Sequence, residues 1–441
     1  MIAALLGFAI VILLVFIRIP IGFAMGIVGA TGFAALNGWN FKSSLGPAAH
    51  SIWETVQKSE LSIIPLFVFM GMLIAKSGMA NDLYRAGYTL IGRFRGGLAL
   101  STVLSAGGFS AICGSSLATV ATMAKVAMPS MRQFGYKDSL STASIAAGGT
   151  LGILIPPSVL LVIYAFMTEQ SVTKMFLAGI LPGLLGVFLY LLAVIVTVII
   201  DPKAGPAGEK TPFREIVLAS LKVMPILLLF LLIFGGLYFQ IYAADEAAAV
   251  GAMGTVIISI LFRRFTWAGF VDAAKQSVLT STSLFVILIG AAIFSRFIVR
   301  TGLPNELLAF VTQNDFSPYM VVLAIVGIYL LLGMVFESMS MVTLTVPIFA
   351  PVVAGLTFFD GGTAEMNLIW FGIIVVVATE ISLLTPPVGL NVFVLRGQLP
   401  DVATATIFKG VTPFWIADIV RILLIVFVPW LSLVVPVAMM N

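Results

Sequence analysis

The sequence predicts an all-α integral membrane protein built from two related halves of opposite orientation. Three observations predict it: too little polar surface for water, apolar blocks of membrane-spanning length, and landmarks that recur in order. Apolar residues make up 60% of the 441 residues and charged residues 10%, against about 25% charged in a typical soluble domain. A soluble globule cannot hide that much apolar surface, because its outer shell faces water. The apolar residues fall in blocks, among them 1–16, 177–200, 224–239, 250–262, 320–336 and 422–437. A helix needs about 20 such residues to cross a bilayer, so the shorter blocks are informative. All are apolar on every face, which excludes the alternation of barrel strands. In lipid the backbone must satisfy itself, which leaves helices.

Composition excludes several classes. The net charge of +4 is scattered, with no basic run suited to nucleic acid. One cysteine, Cys113, gives no disulfide framework, and one histidine, His50, argues against a histidine metal site or hydrolase triad. The first block lacks a basic start and a small-residue cleavage site and continues past Arg18 to Leu36. It is expected to be a membrane helix rather than a cleaved leader.

The polar stretch 201–215, DPKAGPAGEKTPFRE, lies near mid-chain. It divides the chain into a first repeat at 1–200, a linker at 201–222 and a second repeat at 223–441. Leu154-Ile155-Pro156-Pro157, followed by Gly179-Ile180-Leu181-Pro182, corresponds to Leu384-Thr385-Pro386-Pro387, followed by Gly410-Val411-Thr412-Pro413. Upstream, Ala127-Met128-Pro129 matches Phe349-Ala350-Pro351, and Ser77-Gly78-Met79 matches Thr301-Gly302-Leu303. Chance agreement of one landmark is easy; three in order and at nearly constant offset mark a repeat.

Each half then reads in order. An opening span (2–36 or 250–262) precedes an amphipathic stretch (42–58 or 267–277). An interrupted apolar segment follows, expected to form a re-entrant hairpin at about 57–78 and again at about 280–302. Ser59, Ser62 and Pro65 would lie near one tip, and Ser281, Thr282 and Ser283 near the other. Next come a span broken by small polar residues and a span broken by Pro-Pro. About five crossings separate the expected hairpins, by span length. An odd number puts them on opposite faces, an inverted repeat with broken helices, which is the architecture of secondary transporters. Lys and Arg fall on both sides and give no orientation.

The first broken span contains Gly114, Ser115, Ser116 and Thr119. Unwinding there frees carbonyls that ligate a hard cation such as Na⁺, and leaves a helix N-terminus that favours a carboxylate. The alternative is close helix packing through small residues. The matching place in the second half holds Gly333, Glu337 and Ser338. An acid at membrane depth ligates a cation, carries a proton or pairs with a buried arginine; the alternative is an interfacial acid at a span end. The pairs Pro156-Pro157 and Pro386-Pro387 withhold helix hydrogen bonds and bias the preceding residue from helix. Breaks are expected at Ile155 and Thr385, with Ser158 and Asn391 as polar partners. Glu380 is a second acid at depth.

At these residues the chain resembles the large membrane subunit of tripartite ATP-independent periplasmic (TRAP) transporters, the DctM family of the ion transporter superfamily. The resemblance spans essentially the whole chain. It rests on Ile19-Pro20-Ile21-Gly22, Ile64-Pro65-Leu66-Phe67, Gly114-Ser115-Ser116, Gly135-Tyr136, Ile155-Pro156-Pro157-Ser158 and Thr385-Pro386-Pro387-Val388-Gly389-Leu390-Asn391. It implies Na⁺-coupled uptake of a small carboxylate, such as a C4-dicarboxylate, sialic acid or a sugar acid, by an elevator motion. It also implies a periplasmic substrate-binding protein and a small four-helix membrane subunit as partners, in a bacterial or archaeal cytoplasmic membrane. Substrate and ion contacts would come from the two expected hairpin tips (Ser59, Ser62, Pro65, Thr282, Ser283) and from Gly114, Ser115, Ser116, Thr119, Pro156, Ser158, Gly333, Glu337, Ser338, Thr385, Pro386 and Asn391. Na⁺ would sit at Ser115, Ser116, Ser283, Gly333, Thr385 and nearby carbonyls. The chain departs from the family pattern at Cys113, Ala378 and Ser382, where serine, asparagine and glycine are common.

Three other classes make different demands. An intramembrane enzyme needs an embedded nucleophile–base pair or paired aspartates, and no such pair stands within a span. A channel or a stand-alone cation-coupled carrier would work without a binding protein. A structural subunit would tolerate loss of the hydroxyls at Ser115 or Thr385.

Overall fold

A computed structural model describes residues 2–359 and 361–440. Among these the chain is helical, with no strand. Seven segments are long and apolar enough to cross a membrane. In the first half, α1 (Ile2–Phe16) and α2 (Ile21–Leu36) are separated at Pro20, which cannot continue α1 but opens α2. Next come α3 (Phe41–Gln57), a 3-10 turn at Ser59–Ser62, α4 (Ile63–Lys76) and α5 (Met79–Ile91). Then follow α6 (Gly97–Cys113), α7 (Ser116–Gln133), α8 (Asp138–Thr150), α9 (Val159–Thr168) and α10 (Val172–Ile200). The second half holds α11 (Phe213–Tyr238), α12 (Ala244–Leu261), α13 (Trp267–Thr301), α14 (Leu303–Gln313) and α15 (Pro318–Leu332). It ends with α16 (Ser338–Ala354), α17 (Ala364–Ser382), α18 (Leu390–Gln398), α19 (Thr404–Phe427) and α20 (Trp430–Met440). Helix α11 already starts at Phe213, inside the stretch expected as linker.

Hydroxyl side chains start several of these helices by capping free N–H groups. Thr266 accepts from Gly269 N at 3.1 Å and Thr363 from Met366 N at 3.2 Å. The outer faces of α1, α10, α11 and α12 expose Leu13, Phe188, Leu231 and Met253, which suits lipid contact.

The hairpins are real but lie elsewhere than expected. Helices α6 and α7 run antiparallel: Thr102 Oγ1, near the start of α6, donates to Met131 Sδ, near the end of α7, at 3.6 Å. Helices α15 and α16 do the same. Thr345 Oγ1 donates to Tyr329 OH at 2.5 Å, and Tyr319 OH donates to Phe358 O at 3.0 Å. The arms have 17, 18, 15 and 17 residues, about 22–27 Å at 1.5 Å per residue. None of the four arms is among the helices long and apolar enough to cross a membrane. Gly114 permits the first reversal, at φ +63°.

The hairpins expected at about 57–78 and 280–302 are not present. Helix α13 runs unbroken for 35 residues through 280–302. Serine and threonine do not break a helix without glycine or proline, because the hydroxyl bonds back to a carbonyl one turn earlier; Ser283 Oγ donates to Leu279 O at 3.0 Å. At the first position, Pro65 falls in the first turn of α4, where its missing N–H leaves no bond unmade.

The two halves share their joints, hairpins and breaks, although α13 runs as one helix where the first half has α3 and α4, and α20 has no counterpart. Helices α4 and α5 meet at Gly78 (φ 74°), and α13 and α14 at Gly302 (φ 76°). Pro129 and Pro351 lie in the second arm of each hairpin. Breaks follow at 154–158 and 383–389, and after a short helix each half continues into a long one, α10 or α19. Between the hairpins lie five crossings (α8–α9, α10, α11, α12 and α13), with α14 too short to cross. The hairpins therefore enter from opposite faces.

The opening span of each half packs against the other half, α2 on α13 and α12 on α4. The first seam is backbone against backbone. A Cβ at Gly290 would stand 1.9 Å from Gly22 O, and one at Gly29 2.8 Å from the Phe294 backbone. Small residues permit such approach. Gly290→Ala is expected to lower the thermal midpoint of the folded chain, at about 1–3 kcal/mol of overpacking. Gly327→Ala, where nothing lies within 4 Å of a built Cβ, is the matched control. Equal melting of the two variants in detergent would contradict the seam.

Candidate functional site

Both hairpin tips and the edges of both breaks meet at one cavity of about 220 Å³. Tip 1 contributes Gly114, Ser115 and Ser116, and tip 2 contributes Glu337 and Ser338. Ile153 and Leu383 come from the edges of the breaks, and α4 and α13 close the wall with Met72 and Thr280. The space is smaller than the roughly 300–1,000 Å³ of drug-sized sites and suits a small solute.

Tip 1 is built by Gly114, which ends α6, and Ser115, whose side chain accepts from Ala118 N at 3.4 Å and so caps α7. Ser116 is held by a residue 275 positions away. Asn391 Nδ2 donates to Ser116 Oγ at 2.8 Å and to Ala146 O at 3.0 Å. Asn391, fully buried, thus ties break 2 to tip 1 and to α8. One turn along α7, Thr119 is fully buried and its Oγ1 has no protein partner.

Break 1 leaves residues 154–158 outside helix. Ser158 starts α9, accepting from Leu161 N at 3.3 Å while donating to Ile153 O. Pro156 is buried beneath it. Gly179 of α10 lets the break approach, because a Cβ there would be 2.8 Å from Leu154 O. At break 2, Thr385 Oγ1 donates to Ile381 O at 2.7 Å and accepts from Trp415 Nε1 at 3.0 Å. Pro386 is exposed.

Tip 2 leans on break 2 through Gly333, where a Cβ would stand 2.1 Å from Ser382 Cβ. Glu337 begins α16 in extended backbone, and its carboxylate is exposed, accepting from Ser340 Oγ at 3.4 Å. No Lys or Arg stands among the described lining residues, so the acid has no basic partner in the cavity.

The arrangement starts four helices (α7, α9, α16 and α18) around the tips and breaks, where N–H ends favour an anion. It ends α6, α8, α15 and α17 nearby, and the terminal carbonyls suit a hard cation. Thr119 Oγ1, buried and unpartnered, fits the same purpose.

Several expected contacts fall outside this place. Ser59 and Ser62 are exposed on the 3-10 turn, and the Pro65 carbonyl accepts from Ser277 Oγ at 3.0 Å, joining α4 to α13. Thr282 and Ser283 are exposed on α13 and do not line the cavity; Thr119, Pro156, Ser158, Gly333, Thr385, Pro386 and Asn391 also stand outside its lining, behind the tips and breaks. Helices α4 and α13 do reach the cavity, through Val68, Met72, Thr280 and Leu284. Sequence reasoning missed these because ordinary apolar helix positions carry no signal of what they face.

The chain matches the family described as "Tripartite ATP-independent periplasmic transporter, DctM component" over residues 8–431. It is similar to the C4-dicarboxylate TRAP transporter large permease protein DctM of Pseudomonas aeruginosa, with 32% identity over 89% of this chain and 90% of that one. It is also similar to the sialic acid TRAP transporter large permease protein SiaM of Vibrio cholerae, with 26% identity and 96% of each chain covered. The ectoine/5-hydroxyectoine TRAP transporter large permease protein UehC of Ruegeria pomeroyi shares 27% identity over 86% of each. Among solved structures, the Alcanivorax borkumensis YdaH transporter superposes with a TM-score of 0.56 over 93% of this chain and 88% of that one. At 15% identity that likeness speaks for the fold alone. With tips, breaks and matched halves in place, the chain belongs to the DctM component family of tripartite ATP-independent periplasmic transporters and is a multi-pass large permease.

Proposed function

We propose that this permease takes up a small organic acid across the cytoplasmic membrane, driven by Na⁺ and by an elevator motion of its core. The observation that carries the reading is the convergence of both tips and the edges of both breaks on one cavity. Four helix N-termini would meet the carboxylate, while carbonyls at the ends of α6 and α15, with Thr119 Oγ1, would meet Na⁺. A cation also suits the exposed Glu337, which would otherwise repel an anion entering a cavity without basic residues. C4-dicarboxylates, sialic acid and ectoine, named for the relatives, set the size class of the solute. Asn391 binds tip 1 to break 2, and Gly333 seats tip 2 on it. Parts tied in this way favour motion as one body against the frame of α2, α13, α4 and α12.

A small four-helix membrane subunit and a periplasmic binding protein complete the reading. The test is reconstitution in liposomes with labelled C4-dicarboxylate, sialic acid and ectoine, each with its binding protein. Uptake is expected only when this chain, the small subunit, a binding protein and an inward Na⁺ gradient are all present. Uptake by this chain alone without Na⁺ would sink the proposal and leave a channel or stand-alone carrier.

A further inference from the structure

The opening segment, expected from the sequence as one span, is two half-length helices folded back on each other. Helices α1 and α2 have 15 and 16 residues, about 22–24 Å each. They run antiparallel: a Cβ at Gly7 of α1 would stand 3.6 Å from Val28 Cγ1 of α2. Both lean on the second part of α13. The Phe8 ring meets Phe294 edge-on with centroids 5.3 Å apart, and Gly22, at the start of α2, faces Val286 and Gly290. The joint at 17–20 therefore comes level with Val286. That residue lies about 28 Å from the start of α13 and about 22 Å from its end. Thr280 and Leu284 of the same stretch line the cavity from the other side of α13. The joint is deep in the bilayer.

Arg18 stands at this joint. It takes left-handed backbone, at φ 71°, and its side chain is exposed. Among the described residues it has no ion pair and no side-chain hydrogen bond. Helices α1 and α2 carry no charged residue, and Asp272, the one acid of α13, pairs with Lys76 at 2.5 Å. The surface beside Arg18 is apolar, with Phe16 and Ile17 exposed. A bare cation at this depth is costly, and such groups pair with an anion. The phosphates of the lipid are about 15 Å away, half of a hydrocarbon core of about 30 Å, which exceeds what snorkelling of one side chain covers.

Beyond the joint, α13 is bare. The side that α2 covers at Val286, Gly290 and Phe294 continues at helical spacing through Leu279, Thr282 and Ser283. Those three are exposed, Leu279 at 69%, as are Val278 at 64% and Lys275. We propose that this ledge seats a membrane helix of another chain, which lies along Val278 and Leu279 and sets an aspartate or glutamate against Arg18. Charge decides the occupant. An apolar stripe alone suits lipid tails equally well, whereas an unpaired guanidinium at mid-depth calls for a carboxylate that only a protein brings there. The occupant is the small four-helix subunit, so the inference rests on that partner and is independent of Na⁺ and of the solute. Docking there would hold α13 from the side away from the cavity.

The test is photo-crosslinking in membranes that hold the full chain and the small subunit of the same organism. A benzophenone amino acid replaces Leu279, or Leu231 on the outward face of α11 as the comparison site. Capture of the small subunit is expected from position 279 and not from 231. The captured peptide should carry Asp or Glu within two turns of the crosslink. Arg18→Glu should lower capture from 279 at least tenfold. Arg18→Leu breaks no bond within the chain, so it should stay monodisperse and still lose most of the capture. Capture from 231 but not 279 would overturn the assignment and leave the partner standing; capture from neither would overturn both. Crosslinks from 279 to lipid alone or to a second copy of this chain, a peptide without an acid, or undiminished capture in Arg18→Leu would each overturn the proposal. None of these readouts depends on transport, so failure of Na⁺-driven uptake would be seen separately.

Discussion

Replacing Asn391 with alanine is expected to slow uptake by roughly thirtyfold while the folded chain still reaches the membrane, because Asn391 fastens parts that have to stay together. Its amide donates to Ser116 Oγ and to Ala146 O from the start of α18, a span of 275 residues in sequence. Removing it leaves a buried carbonyl and a buried hydroxyl without their partner. About 2 kcal/mol is a fair figure for such a loss, and that corresponds to roughly thirtyfold in rate. Ser116→Ala should be milder, because Asn391 keeps the Ala146 carbonyl. The double variant should be little worse than Asn391→Ala, since both remove one shared contact. The measurement is initial uptake in proteoliposomes, normalised to monodisperse chain. Wild-type uptake by Asn391→Ala would dismiss the fastening role.

Gly333→Ala is expected to be the other large loss, and to be reversible by a second change. Its methyl group would stand 2.1 Å from Ser382 Cβ and 2.2 Å from Ser382 Oγ, well inside contact distance. Tip 2 would have to move off break 2, at about 1–3 kcal/mol, or about tenfold in uptake. Ser382→Gly removes both clashing atoms. It sacrifices only a local bond, because Ser382 Oγ donates to Thr379 O within its own helix at 2.7 Å. The pair Gly333→Ala with Ser382→Gly should therefore recover most of the uptake. Failure of rescue would mean that the space left beside Ser382 is not what Gly333 provides, since its backbone (φ −69°) is one that any residue adopts.

Much of this fold is legible in the chain because its strongest local rules are obeyed. Pro156-Pro157 and Pro386-Pro387 withhold hydrogen bonds, and helices stop before them. Gly78 and Gly302 take left-handed backbone at matching joints. The hairpins are less legible because a reversal needs a residue that tolerates it, whereas small polar residues alone do not create one. Ser281-Thr282-Ser283 reads like a turn and stays helical, its hydroxyls absorbed by the helix. Gly114-Ser115 reads like a break in a span and is a tip. Of the candidate site, the polar residues at tips and breaks could be picked out one by one. The pairing of Ser116 with Asn391 could not, because it joins the two halves and depends on their packing. Glu380 stood out as an acid at depth, but its partners Asp418 and Arg421 sit on an amphipathic-looking helix whose polar face turns inward.

The glycine seam between α2 and α13 divides the molecule by how freely it can change. At Gly22, Gly29 and Gly290 the neighbour is main chain, and no choice of side chain can make room. The cavity wall is the opposite: Met72, Leu117 and Met339 meet the space with side chains rather than main chain. Variation that would jam the frame is forbidden at the seam, while the lining can be repainted one position at a time. A library confined to those three positions should therefore return folded carriers of altered selectivity, whereas one of equal size along the seam should return aggregates.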